Sequence, residues 1–214
     1  MKKGFTLIEI IAVVSLIAIL GLIGTISITT ILKNNRNEAY NLQINNIKEA
    51  TKVWTSKRIY LLPDEEGSSI TLKLAYLKQE GLIDKDIKNP KTEKLFSNDT
   101  LITATKKNNI YEFNVVTIDT DDNYDFQNKP QIILKGESDV VLSGSSTNKD
   151  TYTDPGAFGI VNGNLTENIT EEITSNGTVV SSIPLNIEKE YLITYKLTDS
   201  ANIETFIRKV SVKF

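Results

Sequence analysis

Met1-Lys2-Lys3-Gly4-Phe5-Thr6-Leu7-Ile8-Glu9 opens the chain, and the run from Ile10 to Leu32 that follows carries no charge. That run is 23 residues long. A helix of about 20 predominantly apolar residues crosses a bilayer, so the segment is long enough for a membrane span. Lys2 and Lys3 precede it, and the positive-inside bias then sets the N-terminus on the cytoplasmic side. A secretory signal fits poorly, because its apolar core is about 7–15 residues long and ends in a small-x-small cleavage site. Here the run is longer and leads into Leu32-Lys33-Asn34-Asn35-Arg36, which offers no such site. A plain transmembrane anchor accounts for everything except Glu9.

A carboxylate at the edge of a hydrocarbon segment is costly and marks a function by default. Glu9 also has a local explanation. Thr6-x-x-Glu9 has the spacing of a capping box, with the acid in the positive first turn of a helix. Spacing alone leaves both readings open.

The neighbouring residues add to this. Gly4-Phe5-Thr6-Leu7-Ile8-Glu9, behind a short basic leader and ahead of a long apolar helix, resembles the type IV prepilin signature. The resemblance implies a membrane peptidase that cuts after Gly4 and methylates the new N-terminal amine on Phe5. It also implies a filament in which Glu9 meets the free amine of a neighbouring subunit. The physics agrees, since an amine buried in a helix bundle is expensive unpaired, and a paired one is tolerable and fixes axial register. Where many members of that family carry a proline, this chain has Ile26. Gly21, Gly24 and Thr25 could still loosen the helix there, because glycine weakens a helix interior by roughly 1 kcal/mol.

Beyond Lys33 the pattern becomes amphipathic. Tyr40, Ile44, Ile47, Ala50 or Thr51, and Trp54 recur at three- and four-residue spacing. No proline occurs before Pro63, so one helix is expected from about Thr6 to Lys57, roughly 75–80 Å long. Its first half belongs to membrane or filament core, and its second half packs on a globular head.

In the middle segment, Ile70 to Leu77 is followed by Lys78-Gln79-Glu80-Gly81-Leu82-Ile83, where Gly81 reads as the C-terminal cap of a short helix. Leu101 to Thr105 and Ile110 to Ile118 read as strands joined by the turn Lys106-Lys107-Asn108-Asn109. Tyr111, Phe113 and Val115 alternate with Glu112, Asn114 and Val116, as in a half-buried strand. Helix, short helix and antiparallel strands in this order resemble the head of pilins and pseudopilins. Asp119-x-Asp121-x-Asn123-x-Asp125 begins like a calcium loop, but Tyr124 replaces the turn glycine and Pro130 stands where the bidentate Glu belongs. An acidic linker is the plainer reading, and no metal is expected.

From Lys129-Pro130 the texture changes to Ser, Thr, Asn and Gly between short strand-like runs. Strands are expected at Gln131 to Leu134, Val140 to Leu142, Thr178 to Ser182, Glu190 to Thr198 and Glu204 to Phe214. Tyr191, Ile193, Tyr195 and Leu197 share one face, and Val210, Val212 and Phe214 repeat the same period. Tyr152-Thr153-Asp154-Pro155-Gly156-Ala157 and Tyr191-Leu192-Ile193-Thr194-Tyr195-Lys196-Leu197-Thr198-Asp199-Ser200-Ala201 resemble the immunoglobulin-like repeats of bacterial surface proteins, with Asn202 where glycine is usual. That likeness implies a spacer or an adhesive surface. Asp154 and Asp199 would serve loop hydrogen bonds or calcium.

The chain has no cysteine and no histidine, which removes disulfides, thiol nucleophiles, Cys/His zinc sites and the usual general base. A net charge of −3 gives no general affinity for nucleic acid. The expected fold is α+β: a long N-terminal helix on a small antiparallel sheet, then an immunoglobulin-like β-sandwich. The expected organisation is a leader at 1–4, a long helix at 5–58 with membrane or filament core at 5–32, a pilin-like head at 59–128 and the sandwich at 129–214. The expected role is a non-enzymatic minor or tip subunit of a type IV pilus-like filament, with no cofactor. Its partners would be other pilin subunits, a prepilin peptidase, the assembly platform with its ATPase, and the membrane. It would be single-pass in the membrane before assembly and extracellular afterwards. A secretion or competence pseudopilin and a membrane-anchored adhesin that never polymerises are the alternatives.

Overall fold

A computed structural model describes residues 6–121, 129–200 and 202–214, and the side chains of residues 20–28 lie outside the description. Helix α1 spans Leu7–Ser56 without interruption, so the stretch holding Gly21, Gly24 and Ile26 stays helical. It closes at Lys57, whose N–H donates to the Thr55 carbonyl. In its second half Ile47, Ala50, Thr51, Trp54 and Thr55 are buried, on the stripe expected from spacing. The two threonines are tolerated there because their hydroxyls donate back to the carbonyls of Ile47 (2.7 Å) and Thr51 (2.9 Å).

A 3-10 turn at Ile59–Leu61 leads to strand β1 (Ser69–Lys73) and helix α2 (Leu74–Gln79). The short helix expected before Gly81 is α2, whereas the strand β1 that precedes it was not expected. Ser69 to Leu72 are all buried, since β1 lies inside a sheet with partners on both sides. A strand covered on both faces shows no alternation, and a short continuous apolar run does not distinguish it from a helix. The glycine cap does hold. Gly81 adopts φ +69°, its N–H reaches the Lys78 carbonyl, and the Leu82 N–H reaches that of Leu77 (2.9 Å). Those two bonds form a Schellman motif.

The strands that follow are β2 (Leu95–Phe96), β3 (Leu101–Lys107), β4 (Ile110–Val116), β5 (Asp119–Thr120), β6 (Gln131–Lys135), β7 (Asp139–Ser143) and β8 (Thr151–Tyr152). After them come β9 (Ala157–Val161), β10 (Asn164–Thr166), β11 (Ile169–Ser175), β12 (Thr178–Val179), β13 (Ile183–Pro184), β14 (Lys189–Asp199) and β15 (Asn202–Lys213). The β3–β4 turn falls on Asn108 and Asn109, both at positive φ, as tight hairpins require. Tyr111, Phe113 and Val115 are half-buried while Glu112, Asn114 and Val116 are exposed, as their alternation predicted.

A six-stranded sheet has the order β10-β9-β6-β1-β3-β4, and a five-stranded sheet has the order β12-β11-β14-β15-β7. Within the second sheet β15 pairs with β7 in parallel, the other pairings being antiparallel. The first sheet continues across the linker near residue 129, because Ile70 and Thr71 of β1 pair with Lys135 and Leu134 of β6. Strand β6 serves two cores. Ile133 packs with Trp54, Leu72, Phe96 and Ile102, while Ile132 and Leu134 pack with Tyr191, Ile193, Tyr195 and Val210. Each such fully buried Ile or Leu contributes about 1.5–3 kcal/mol. The fold is α+β, a long helix followed by a largely β region.

The face assignments on β14 hold: Tyr191, Ile193, Tyr195 and Leu197 are all buried. Phe214 does not follow Val210 and Val212 inward. It lies past the end of β15 and is exposed. Thr178 to Ser182 forms only the two-residue strand β12, whereas β9, β10 and β11 were not expected.

Candidate functional site

The site begins at Thr6, the first described residue. Its extended backbone (φ −77°, ψ 152°) makes it the N-cap of α1, and Glu9 occupies the third helical position. The Glu9 N–H donates to Thr6 Oγ1 (3.4 Å), while the Thr6 N–H and hydroxyl both donate to Glu9 Oε2 (3.1 Å each). This is a complete capping box. Gly4 and Phe5 lie outside the described residues. Glu9 therefore has a local partner and also stands exposed at the positive end of the helix, where an anion is favoured. Both Thr6 bonds converge on Oε2, so Oε1 can accept from a cation without dismantling the cap.

Leu7, Ile8, Ile10, Ile11, Val13, Val14, Leu16, Ile17 and Ile19 follow along α1, each at least 51% exposed. A contiguous apolar surface of this kind on one chain marks a protein or membrane interface. Among the described residues no helix is long and apolar enough to cross a membrane. Residues 20–28, in the middle of the uncharged run, have their side chains outside that set.

Three polar constellations elsewhere are structural. Glu80 accepts from Trp54 Nε1 (2.8 Å) and Arg58 Nη2 (2.6 Å), and the Arg58 guanidinium lies 4.4 Å from the Trp54 ring centre. This clamps the end of α1 to the end of α2. Lys73 pairs with Glu204 (2.9 Å) and Asp99 (3.0 Å). Burial pulls the Lys73 pKa down, but these two carboxylates outweigh it and carry it above its ordinary value. Arg208, fully buried, donates to Asp154, to the Tyr195 hydroxyl (2.9 Å) and to the carbonyls of Glu137 and Lys135. Burial first, and then the bond to Asp154, push the Tyr195 hydroxyl far above its usual pKa.

Asp154 thus serves loop hydrogen bonding, one of its two expected roles: it also accepts from the Gly156 N–H (2.7 Å). Asp119 accepts from Asn89 and Thr92, and Asp121 pairs with Lys94. Asn123 and Asp125 lie outside the described residues. Among the described residues no group of three or more acidic side chains is placed to hold a metal. The Arg208 network escaped the sequence reading although a signal was present. Arg208 has the parity of Phe206, Val210 and Val212, which places it on the inward face of β15.

Residues 1–25 match the family model of the prokaryotic N-terminal methylation motif. The match is to a type IV prepilin-like signal and covers the leader, Thr6, Glu9 and the first part of α1. It supports a processed protein of the pilin or pseudopilin kind, which has pilin subunits and a prepilin peptidase as general partners. It also suggests a membrane-anchored precursor and a later extracellular filament. No curated protein and no solved structure matches the chain.

Proposed function

We propose that this chain is a minor or tip subunit of a type IV pilus-like filament. In this reading it is cut between Gly4 and Phe5, methylated on Phe5, held in the membrane by residues 5–32 until assembly, and joined to its neighbours through α1 and Glu9. The observation that carries the reading is the methylation motif at residues 1–25, set on a 50-residue helix whose first part exposes its apolar side chains. The role is structural and needs no cofactor. The assembly platform and its ATPase act on the subunit from outside.

The C-terminal part is an immunoglobulin-like module in this proposal. Its support is a core enclosed by two sheets, with β15 closing in parallel on β7. A module this large enlarges the head, and a large head is harder to place at every position of a dense helical fibre. That favours a minor subunit over the bulk of the filament.

Mass spectrometry of the N-terminal peptide from the native extracellular protein tests the proposal. A chain beginning at methylated Phe5 is expected. An extracellular form that keeps Met1 or an intact leader would overturn the reading and favour an anchored adhesin. Glu9→Ala should be cleaved normally yet enter fibres poorly, and normal incorporation would remove the amine-pairing mechanism.

A further inference from the structure

Leu32 ends the uncharged run, and Lys33 is the first charge after it. The 23 residues from Ile10 to Leu32 make about 35 Å of helix at 1.5 Å each, close to the roughly 30 Å hydrocarbon core of a bilayer. On the membrane reading of residues 5–32, on which this inference rests, the turn of α1 from Lys33 to Asn37 stands at the level of lipid head groups. A second element joins it there. Lys91, on the loop before β2, reaches the same face of the helix, and Thr29, Leu32, Lys33, Arg36, Asn37 and Lys91 line an open cleft of about 450 Å³. That volume lies within the range of small-molecule sites, about 300–1,000 Å³.

The cleft has two chemically different ends. Thr29 and the exposed Leu32 belong to the uncharged run, while Lys33, Arg36 and Lys91 form the end towards the head, and no carboxylate lines the cleft among the described residues. The nearby Glu93 takes Arg36 Nη2 (2.8 Å), which leaves three cations against one acid, an excess of two positive charges. An arginine held by one Nη keeps Nε and the other Nη as donors, the fork that suits a phosphate. Lys91 sits 3.8 Å from the Tyr40 ring centre, a contact that places its charge without cancelling it. Its loop is pinned by the buried Asn89, which accepts from the Lys91 N–H at its side chain (3.0 Å) and from the Glu93 N–H at its carbonyl (2.7 Å). A free phosphate would use the cations and leave the apolar end wet. A zwitterionic lipid brings an ammonium that the excess charge repels. We propose that this cleft binds the head group of an anionic phospholipid, its phosphate on Lys33, Arg36 and Lys91 and its glycerol against Thr29 and Leu32, on the face of the membrane opposite Lys2 and Lys3.

The test uses the full chain in amine-oxide micelles, which contain no phosphate. Native mass spectrometry is recorded with equal amounts of phosphatidylglycerol and phosphatidylcholine carrying the same acyl chains. Phosphatidylglycerol adducts should dominate, and Lys33→Gln and Lys91→Gln should each weaken them about fivefold. Both lysines are exposed, so the variants should fold, and both variants keep Lys2 and Lys3, so attraction to the leader cancels in the comparison. In the unmodified chain, phosphatidylglycerol should shift the backbone amides of Lys33, Arg36 and Lys91, and inorganic phosphate at the same concentration should not. Equal shifts with inorganic phosphate would overturn the lipid and leave a free-phosphate site. Flotation with phosphatidylcholine vesicles tests the membrane reading separately: a chain that stays out of them overturns that reading and this proposal together. A chain that inserts but holds both lipids equally, or keeps its preference in both variants, overturns this proposal alone and leaves the cations to an acidic face of a neighbouring subunit.

Discussion

Replacing Asp154 by alanine should destabilise the whole head, and the size of the effect follows from what is left behind. Arg208 is fully buried, and Asp154 is the carboxylate that neutralises it. Its remaining partners are the Tyr195 hydroxyl and the carbonyls of Glu137 and Lys135, which accept its hydrogens without cancelling its charge. Removing one member of a buried ion pair costs about 3–5 kcal/mol, because the other is left uncompensated. For a chain of 214 residues each kcal/mol moves the melting temperature by about 2–4 °C, giving a fall of roughly 6–20 °C. Thermal unfolding should be followed by far-ultraviolet circular dichroism and by the fluorescence of Trp54, the sole tryptophan. Trp54 lies in the core under α1, remote in sequence from Asp154, but β6 packs into both cores. Both probes should therefore shift together. The double variant Asp154→Ala with Arg208→Met removes the stranded charge and should recover most of the loss. A single variant melting within about 2 °C of the parent, or a double variant as unstable as the two single losses added, would refute the assignment of Asp154 as the counter-charge.

Three further outcomes are expected. Lys78 is buried, and burial, only partly opposed by Asp86, lowers its pKa to about 8. The unfolded chain keeps that proton up to the ordinary value near 10.5, so between the two values it binds more protons than the folded chain, and stability should rise from pH 8 towards pH 10. Urea midpoints across that window should lose this rise in Lys78→Met, and an unchanged slope would exclude Lys78 as its source. Tyr76→Phe removes a hydroxyl that accepts from the Ile132 N–H (3.0 Å) and donates toward the Ile132 carbonyl. It should cost about 1–3 kcal/mol and speed hydrogen exchange at the Ile132 amide. Gly144→Ala would drive a methyl group into the Leu185 carbonyl oxygen and within 2.7 Å of Val212 Cγ1. Backbone oxygen cannot step aside, so a loss of about 1–3 kcal/mol is expected by denaturant titration.

The parts of this molecule that sequence reveals are those whose physics is local. The start of α1 was legible because Thr6 and Glu9 act across three residues, and the Trp54 stripe because helical period survives when only one face is buried. Gly81 was legible for the same reason, since the helix it ends tolerates few residues at positive φ. Strand β1 was not, because burial on both faces erases the alternation that marks a strand. Strands β9 to β11 were missed where Asn, Gly and Thr dilute the apolar signal, as in Asn162-Gly163-Asn164.

Strand β6 also bears on how this protein can be divided. A fragment ending near residue 128 would keep α1, α2 and β1 to β5 but would strip the partner from one side of β1. The backbone groups of Ser69 to Thr71 on that side would face water, beside a core that has lost Ile133 and Ile160. An unprotected strand of this kind is a template for joining another chain. Such a fragment should aggregate or dimerise edge to edge, so the N-terminal portion is an unfinished sheet that the C-terminal portion completes.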